Sequence, residues 1–195
     1  RIVLLRIVYN ILKKMKSIFK ILSVVMILAG ALSCQKEKLE VEYNKQEAKI
    51  STYIESAMAR NESYTTVNNG GSNRLTTVQG SGEALKADGN LTFYYAGYMF
   101  NGSVSPSGLF TTNHKVSADD AGWDLTDAEY EPLTINLKDY KLLEGLRKGL
   151  EGVQAGEECE IIFSGKYGFG NDSFGIIPAN SALLYKIWVI SISNE

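Results

Sequence analysis

Hydrophobic and polar positions along the chain fall into two periods. Between Tyr43 and Arg60, the residues Ile50, Tyr53, Ile54 and Ala57 recur at i, i+3, i+4 and i+7, with Lys, Glu and Gln on the other side. That spacing predicts a helix with one apolar stripe. Leu142, Leu143, Leu146 and Leu150 also fall at helical spacing and predict a short second helix, which Gly152 and Gly156 end. Arg74 to Gln79, Leu91 to Phe100, Leu133 to Leu137, Glu160 to Phe163 and Leu183 to Ile192 read as strands, the last two rich in Ile, Phe, Tyr, Trp and Val. Turn residues punctuate these runs. Asn68 to Asn73 is a turn or loop, Gly80-Ser81-Gly82 ends the first strand, Asp88-Gly89-Asn90 is a turn, and Asn101-Gly102 predicts a hairpin. The sum is an α+β fold: a short helix laid across a curved antiparallel sheet, with loops on either side closing a small apolar pocket.

The pattern also sorts the chemistry. Cys159 lies between Glu158 and Glu160, so alternation turns it to the core with Ile161 and Phe163, as a buried structural thiol. The stretch 113–132 carries Asp119, Asp120, Asp124, Asp127, Glu129 and Glu131 beside His114 and Trp123. It lacks the Asp-x-Asp-x-Asp-Gly spacing of a calcium loop and reads as a solvated acidic loop; no metal site is expected. Trp123 either covers the pocket or anchors this loop. Gly80-Ser81-Gly82 is followed by no Lys-Ser/Thr and opens no helix, so nucleotide binding is rejected. The helix from Tyr43 could mediate dimerisation or pack on its own domain, and the second is the favoured reading.

Composition, 45% hydrophobic and 22% charged, is that of a globular protein. Charge is unevenly spread. The first 33 residues hold six of the 20 basic residues and no acid, leaving 14 basic against 22 acidic residues in the remainder, a net of −8. A body that acidic is a poor partner for nucleic acid. The N-terminal block reads as a targeting segment. Lys16 and Lys20 precede an apolar run from Ile21 to Leu32, too short for a confident membrane span, and Met15 is the expected start. Ala31-Leu32-Ser33-Cys34 resembles a bacterial lipoprotein cleavage box, with Cys34 as the lipidated residue; the alternatives are an ordinary secretory signal cut near Cys34 or an N-terminal anchor helix. The expected organisation is a signal peptide over 1–33, the lipidated Cys and a charged tether over 34–42, a helix and loop over 43–73, and the main domain over 74–195. With Cys34 lipidated, Cys159 has no disulfide partner.

From Lys141 onward the motifs become specific. Leu142-Leu143-Glu144-Gly145-Leu146-Arg147-Lys148-Gly149-Leu150, then Val153-Gln154-Ala155-Gly156-Glu157, a strand, Tyr167-Gly168-Phe169-Gly170 and Ile177-Pro178 followed by Leu183 resemble, in order and spacing, the second half of an FKBP-type peptidyl-prolyl cis-trans isomerase. Upstream, Leu91 to Phe100 resembles the family's Tyr-x-Gly strand, and Phe110-Thr111-Thr112 stands where the family has Phe-Asp-Ser. The resemblance implies the FKBP-like fold and an isomerase that needs no cofactor. It implies a catalytic group of Tyr95, Phe110, Thr111 and Phe169, and substrate-binding walls of Leu133, Leu142, Leu143, Leu146, Ile177 and Tyr185. Partners would be proline-containing unfolded or flexible polypeptides, with macrocyclic inhibitors as ligands of the same pocket. Together with the lipid anchor, this points to an isomerase of the cell envelope, on a periplasmic or outer-membrane face.

Leu133 and Tyr185 each stand where the family has a Phe, and three further departures from the family pattern bear on activity. Thr111 replaces an Asp, Phe169 a Tyr with a donating hydroxyl, and Leu146 a Trp. A second reading therefore stands beside the first: a catalytically weak or inactive chaperone or interaction module on the same scaffold.

Overall fold

The computed structural model describes residues 36–195. The expected signal segment and Cys34 lie outside the described residues. Residues 36–60 form helix α1, so the stretch 36–42, expected as a tether, is helical. Tyr43–Glu195 is one compact unit. It continues with strands β1 (Thr65–Asn69), β2 (Ser72–Val78), β3 (Asn90–Met99) and β4 (Leu109–Thr112), then helix α2 (Lys115–Asp120) and β5 (Leu133–Asn136). Helix α3 (Glu144–Leu150), β6 (Glu158–Phe163) and β7 (Leu183–Ser193) complete it.

The seven strands make one antiparallel sheet in the order β1-β2-β6-β7-β3-β4, with β5 also on β3. β3 is the axis. One edge pairs with β7 from Asn90↔Ser193 to Met99↔Leu183. The other pairs first with β5, over Asn90 to Phe93, and then with β4, over Ala96 to Tyr98. Asn113 bridges the gap between β5 and β4: its side chain accepts from Tyr95 N–H at 2.7 Å and donates to the Phe93 carbonyl at 3.4 Å and the Glu131 carbonyl at 3.0 Å. A buried amide here substitutes for the missing ladder bonds.

Alternation divides the core between the two faces of this sheet. On one face Leu91, Phe93, Cys159, Ile161, Phe163, Leu183, Tyr185 and Ile187 pack with Leu146 and Leu150 of α3. Cys159 is there with Ile161 and Phe163, and burial raises its thiol pKa well above the ordinary value. On the other face Ala96, Tyr98, Ile162 and Leu184 pack with Ile50, Ile54 and Ala57 of α1. Fully burying a side chain such as Ile50 is worth about 1.5–3 kcal/mol, so the stripe read from sequence holds α1 to its own sheet.

α3 lies close to the sheet because it offers glycine there. A Cβ on Gly145 would meet the Phe163 ring at 2.3 Å, and one on Gly149 would meet Ile161 Cγ2 at 2.2 Å. Its C-terminus is held from β2: Arg74 donates to the carbonyls of Gly149 (3.0 Å), Glu151 (2.9 Å) and Gly152 (3.3 Å). A guanidinium at a helix C-terminus satisfies free carbonyls and suits the helix dipole. The same side chain forms a buried ion pair with Glu157, Nε to Oε1 at 3.4 Å. Glu157 also accepts from Thr76 Oγ1 and from Gln154 N–H, both at 2.9 Å.

Several local expectations are corrected. The short helix begins at Glu144. Leu143 is its extended N-cap (ψ 144°), and Leu142 precedes it, so both lie off the helical face. Asn101-Gly102 lies in the connection of the expected hairpin, between the antiparallel strands β3 and β4, but the connection is longer than a two-residue turn. Phe100 is buried and bonded through its N–H to Ala182, and the chain crosses to β4 only after a short 3-10 turn at Pro106–Gly108. Of Asn68 to Asn73, only Gly70 and Gly71 form the turn; the flanking residues are paired in β1 and β2. The acidic stretch 113–132 holds α2 and a 3-10 turn, Asp127–Tyr130. That turn opens with a capping box, in which Thr126 hydrogen bonds hold the Glu129 carboxyl below its usual pKa.

Candidate functional site

A pocket of about 490 Å³ opens at the end of the sheet where β4, β7 and the loop between β6 and β7 meet. Phe110 and Thr111 enter it from β4 and Tyr185 from β7: Thr111 and Tyr185 both stand opposite Gly97 of β3, and the register shift between Gly97 and Tyr98 lets the adjacent Phe110 reach the same pocket. Trp123 comes from the loop after α2. Phe169, Phe174, Gly175, Ile176 and Ile177 come from the β6–β7 connection.

The walls are aromatic and orthogonal. Phe110 meets Tyr185 edge-on, with centroids 5.6 Å apart at 88°, and Tyr185 lies parallel to Phe163 at 6.1 Å and 17°. Phe169 stacks on Phe174 at 5.1 Å and 8°. Phe174 and Ile177 are locked as a tight hairpin by reciprocal backbone bonds of 3.0 and 2.9 Å around Gly175, whose φ is +55°. The hairpin leaves Phe174 65% and Ile176 62% exposed, so the pocket carries an apolar rim. Beneath it lies Gly97. A Cβ there would stand 2.8 Å from Phe110 and 2.9 Å from both Thr111 and Tyr185, so the glycine keeps space between these three side chains.

Electrostatically the pocket lining carries no charged side chain. Burial first, and then the neighbouring Tyr95, raise the Tyr185 pKa, so its hydroxyl remains a donor across the physiological range. Among the described residues, no group of three His, Cys, Asp or Glu stands together to hold a metal ion. The arrangement can take an apolar ring, strip water from a bound amide and offer few hydrogen bonds in return.

Of the residues read from sequence, the pocket wall brings together Phe110, Thr111, Phe169, Ile177 and Tyr185. Tyr95, Leu133, Leu142 and Leu143 pack, half-buried, against the adjoining core, Tyr95 with its ring 5.9 Å from Phe93. Leu146 is only 6% exposed and lies within the core rather than on the wall. Trp123 lines the pocket and also packs toward the α1-side core, so both readings of that residue hold. Phe174, Ile176 and Gly97 were not singled out as site residues. The run Phe174-Gly175-Ile176-Ile177 beside Pro178, apolar within a loop, is the signal that marks the first two.

Comparisons with known proteins converge on this region. Residues 82–190 match the family model of the FKBP-type peptidyl-prolyl cis-trans isomerases, and this span contains every residue of the pocket wall. The chain is 24% identical over 123 residues to FK506-binding protein 1 of Aspergillus oryzae, covering 63% of this chain and 99% of that one. It is 28% identical over 116 residues to the FKBP-type peptidyl-prolyl cis-trans isomerase FkpA of Buchnera aphidicola, covering 59% of this chain but 38% of the relative. Among solved structures, FkpA from Escherichia coli shares the fold with a TM-score of 0.52 at 21% identity, over 88% of this chain and 70% of that one.

Proposed function

The chain belongs to the FKBP-type peptidyl-prolyl cis-trans isomerase family, and from that premise we propose that it accelerates rotation about X–Pro bonds in extracytoplasmic polypeptides. The observation that carries the reading is the aromatic pocket of Phe110, Tyr185, Phe169 and Trp123 lying wholly within the matched span.

Rotation about a peptide C–N bond faces a barrier of ~18–20 kcal/mol, set by resonance. X–Pro bonds populate both isomers and exchange over tens to hundreds of seconds, slowly enough to limit folding. Lowering the barrier needs no nucleophile and no cofactor, only a site that binds the twisted amide better than the planar one. Water bonded to the substrate carbonyl favours the planar, charge-separated form. In the proposed mechanism the prolyl ring enters between Phe110, Phe169 and Tyr185, water is excluded, and the Tyr185 hydroxyl is a candidate donor to the twisted amide. Macrocyclic inhibitors are expected to compete for the same walls. The reading is tested by the isomerisation rate of a short X–Pro peptide in the presence of the chain.

Phe169, with no hydroxyl, favours a second reading: a module that binds proline-containing segments with little catalysis. It predicts suppression of client aggregation that survives substitution of the pocket wall.

We further propose that Cys34 carries a lipid anchor in the cell envelope, with 1–33 as its signal segment. The support is the basic start, the apolar run and the Ala31-Leu32-Ser33-Cys34 box. Mass analysis of the protein purified from membranes should find the lipid on Cys34, and an unmodified protein retaining residues 1–33 would overturn this.

A further inference from the structure

The segment 165–180 supplies five of the nine residues lining the pocket. Its two ends touch: a Cβ on Gly165 would stand 2.3 Å from the Asn180 carbonyl oxygen. Asn180 is, among the described residues, the only non-glycine with positive φ (61°), a conformation that costs free energy unless its surroundings hold it. Its N–H is bonded to the Gly170 carbonyl.

What holds this junction comes from α1, which lies outside the span matched to the family. The Gln46 side chain straddles it. Its Oε1 accepts from Gly165 N–H at 2.9 Å, and its Nε2 donates to the Asn180 carbonyl at 2.7 Å. The Tyr43 hydroxyl donates to Asn180 Oδ1 at 2.8 Å. These three bonds tie the start and the end of the pocket segment to one helix. Docking of α1 on the sheet does not depend on them alone, since Ile50, Ile54 and Ala57 are buried farther along and Tyr53 bonds Glu160 at 2.8 Å.

We propose that Gln46 and Tyr43 are positioning residues of the pocket: α1 fastens the junction of Gly165 with Asn180 and thereby fixes the wall formed by Phe169, Phe174 and Ile177. Coupling between two sites is reciprocal, so occupancy of the pocket tightens α1 as α1 tightens the pocket. The consequence for catalysis rests on the isomerase reading, whereas the coupling itself does not.

The test follows amide hydrogen exchange in the full chain for wild type, Gln46→Ala, Tyr43→Phe and Tyr53→Phe. Gln46→Ala is expected to speed exchange in 165–180 about tenfold, the scale of one or two lost hydrogen bonds, while β3 and β7 keep wild-type rates. Tyr43→Phe gives a smaller acceleration in the same segment. Tyr53→Phe removes a different α1 bond and leaves 165–180 unchanged. On an X–Pro peptide, Gln46→Ala raises KM several-fold more than Tyr53→Phe does. Unchanged exchange in Gln46→Ala, or equal acceleration in Tyr53→Phe, overturns the proposal. Should Gln46→Ala fail to fold, Tyr43→Phe against Tyr53→Phe decides it. A wild type without isomerase activity would defeat the isomerase reading and leave the exchange comparison to decide the coupling.

Discussion

Gly145 lies against the face of Phe163 so closely that a Cβ would stand 2.3 Å from the ring. That contact sets the height of α3 above the sheet. Gly145→Ala must lift the helix or displace the ring, and overpacking of this kind costs about 1–3 kcal/mol. The loss is read as a lower midpoint in urea unfolding. Because Phe163 also stacks on Tyr185, the variant should lose pocket affinity as well as stability.

Gly97 predicts the opposite partition. A methyl group there projects between Phe110, Thr111 and Tyr185, while the backbone has no positive φ to strain. Gly97→Ala should lose less stability in urea unfolding than Gly145→Ala, toward the lower end of about 1–3 kcal/mol, because it meets the outer atoms of the Phe110, Thr111 and Tyr185 side chains, and should weaken ligand binding about tenfold, measured by titration of a proline-containing peptide. Unaltered affinity would mean that ligand does not reach this part of the pocket.

Arg74 joins the end of α3 to the buried carboxylate of Glu157. Arg74→Ala frees three carbonyls and strands a buried charge. Removing one partner of a buried pair typically costs about 3–5 kcal/mol, so Arg74→Ala should be far less stable than Lys115→Ala, whose ion pair with Asp119 is exposed. Thermal unfolding of the two variants side by side checks the contrast.

His114 stacks on Trp188 at 3.8 Å and 16° and meets Ser117 Oγ through Nδ1 at 3.0 Å. Burial, the largest influence, lowers its pKa below the ordinary 6.5; Glu158 and Asp120 oppose this and Lys186 adds to it. The unfolded chain therefore binds the proton more readily than the folded one. Stability should fall as pH drops below about 6.5 and stop falling once the folded pKa is passed. This is the only histidine in the chain, so His114→Gln should remove that component of the pH dependence, measured as the difference in unfolding midpoint between pH 7.5 and 5.5.

Much of the fold was legible because each principal element buries one face. The stripe of Ile50, Ile54 and Ala57 and the alternation through Cys159, Ile161 and Phe163 are direct imprints of the two core layers. β1 was not, since Thr-Thr-Val-Asn-Asn at the sheet edge buries neither face and leaves no period to read. Leu142 and Leu143 have helical spacing relative to Leu146, but the helix starts only at Glu144. Local motifs brought Phe110, Phe169, Ile177 and Tyr185 to one wall. The bonds from Gln46 to Gly165 and Asn180 join positions more than a hundred residues apart, and neither propensity nor spacing encodes such a contact. The place of Gly97 likewise depends on three side chains from β4 and β7 arriving over it.

The most direct measurement is the isomerisation rate of an Ala-Leu-Pro-Phe peptide with the full chain, wild type beside Phe110→Ala and Phe169→Tyr. The account predicts acceleration by wild type, its loss in Phe110→Ala, and a gain of about two- to tenfold in Phe169→Tyr, the scale of one added hydrogen bond of roughly 0.5–1.5 kcal/mol. No acceleration at micromolar protein, even with Phe169→Tyr, would contradict it and leave the pocket as a binding site alone.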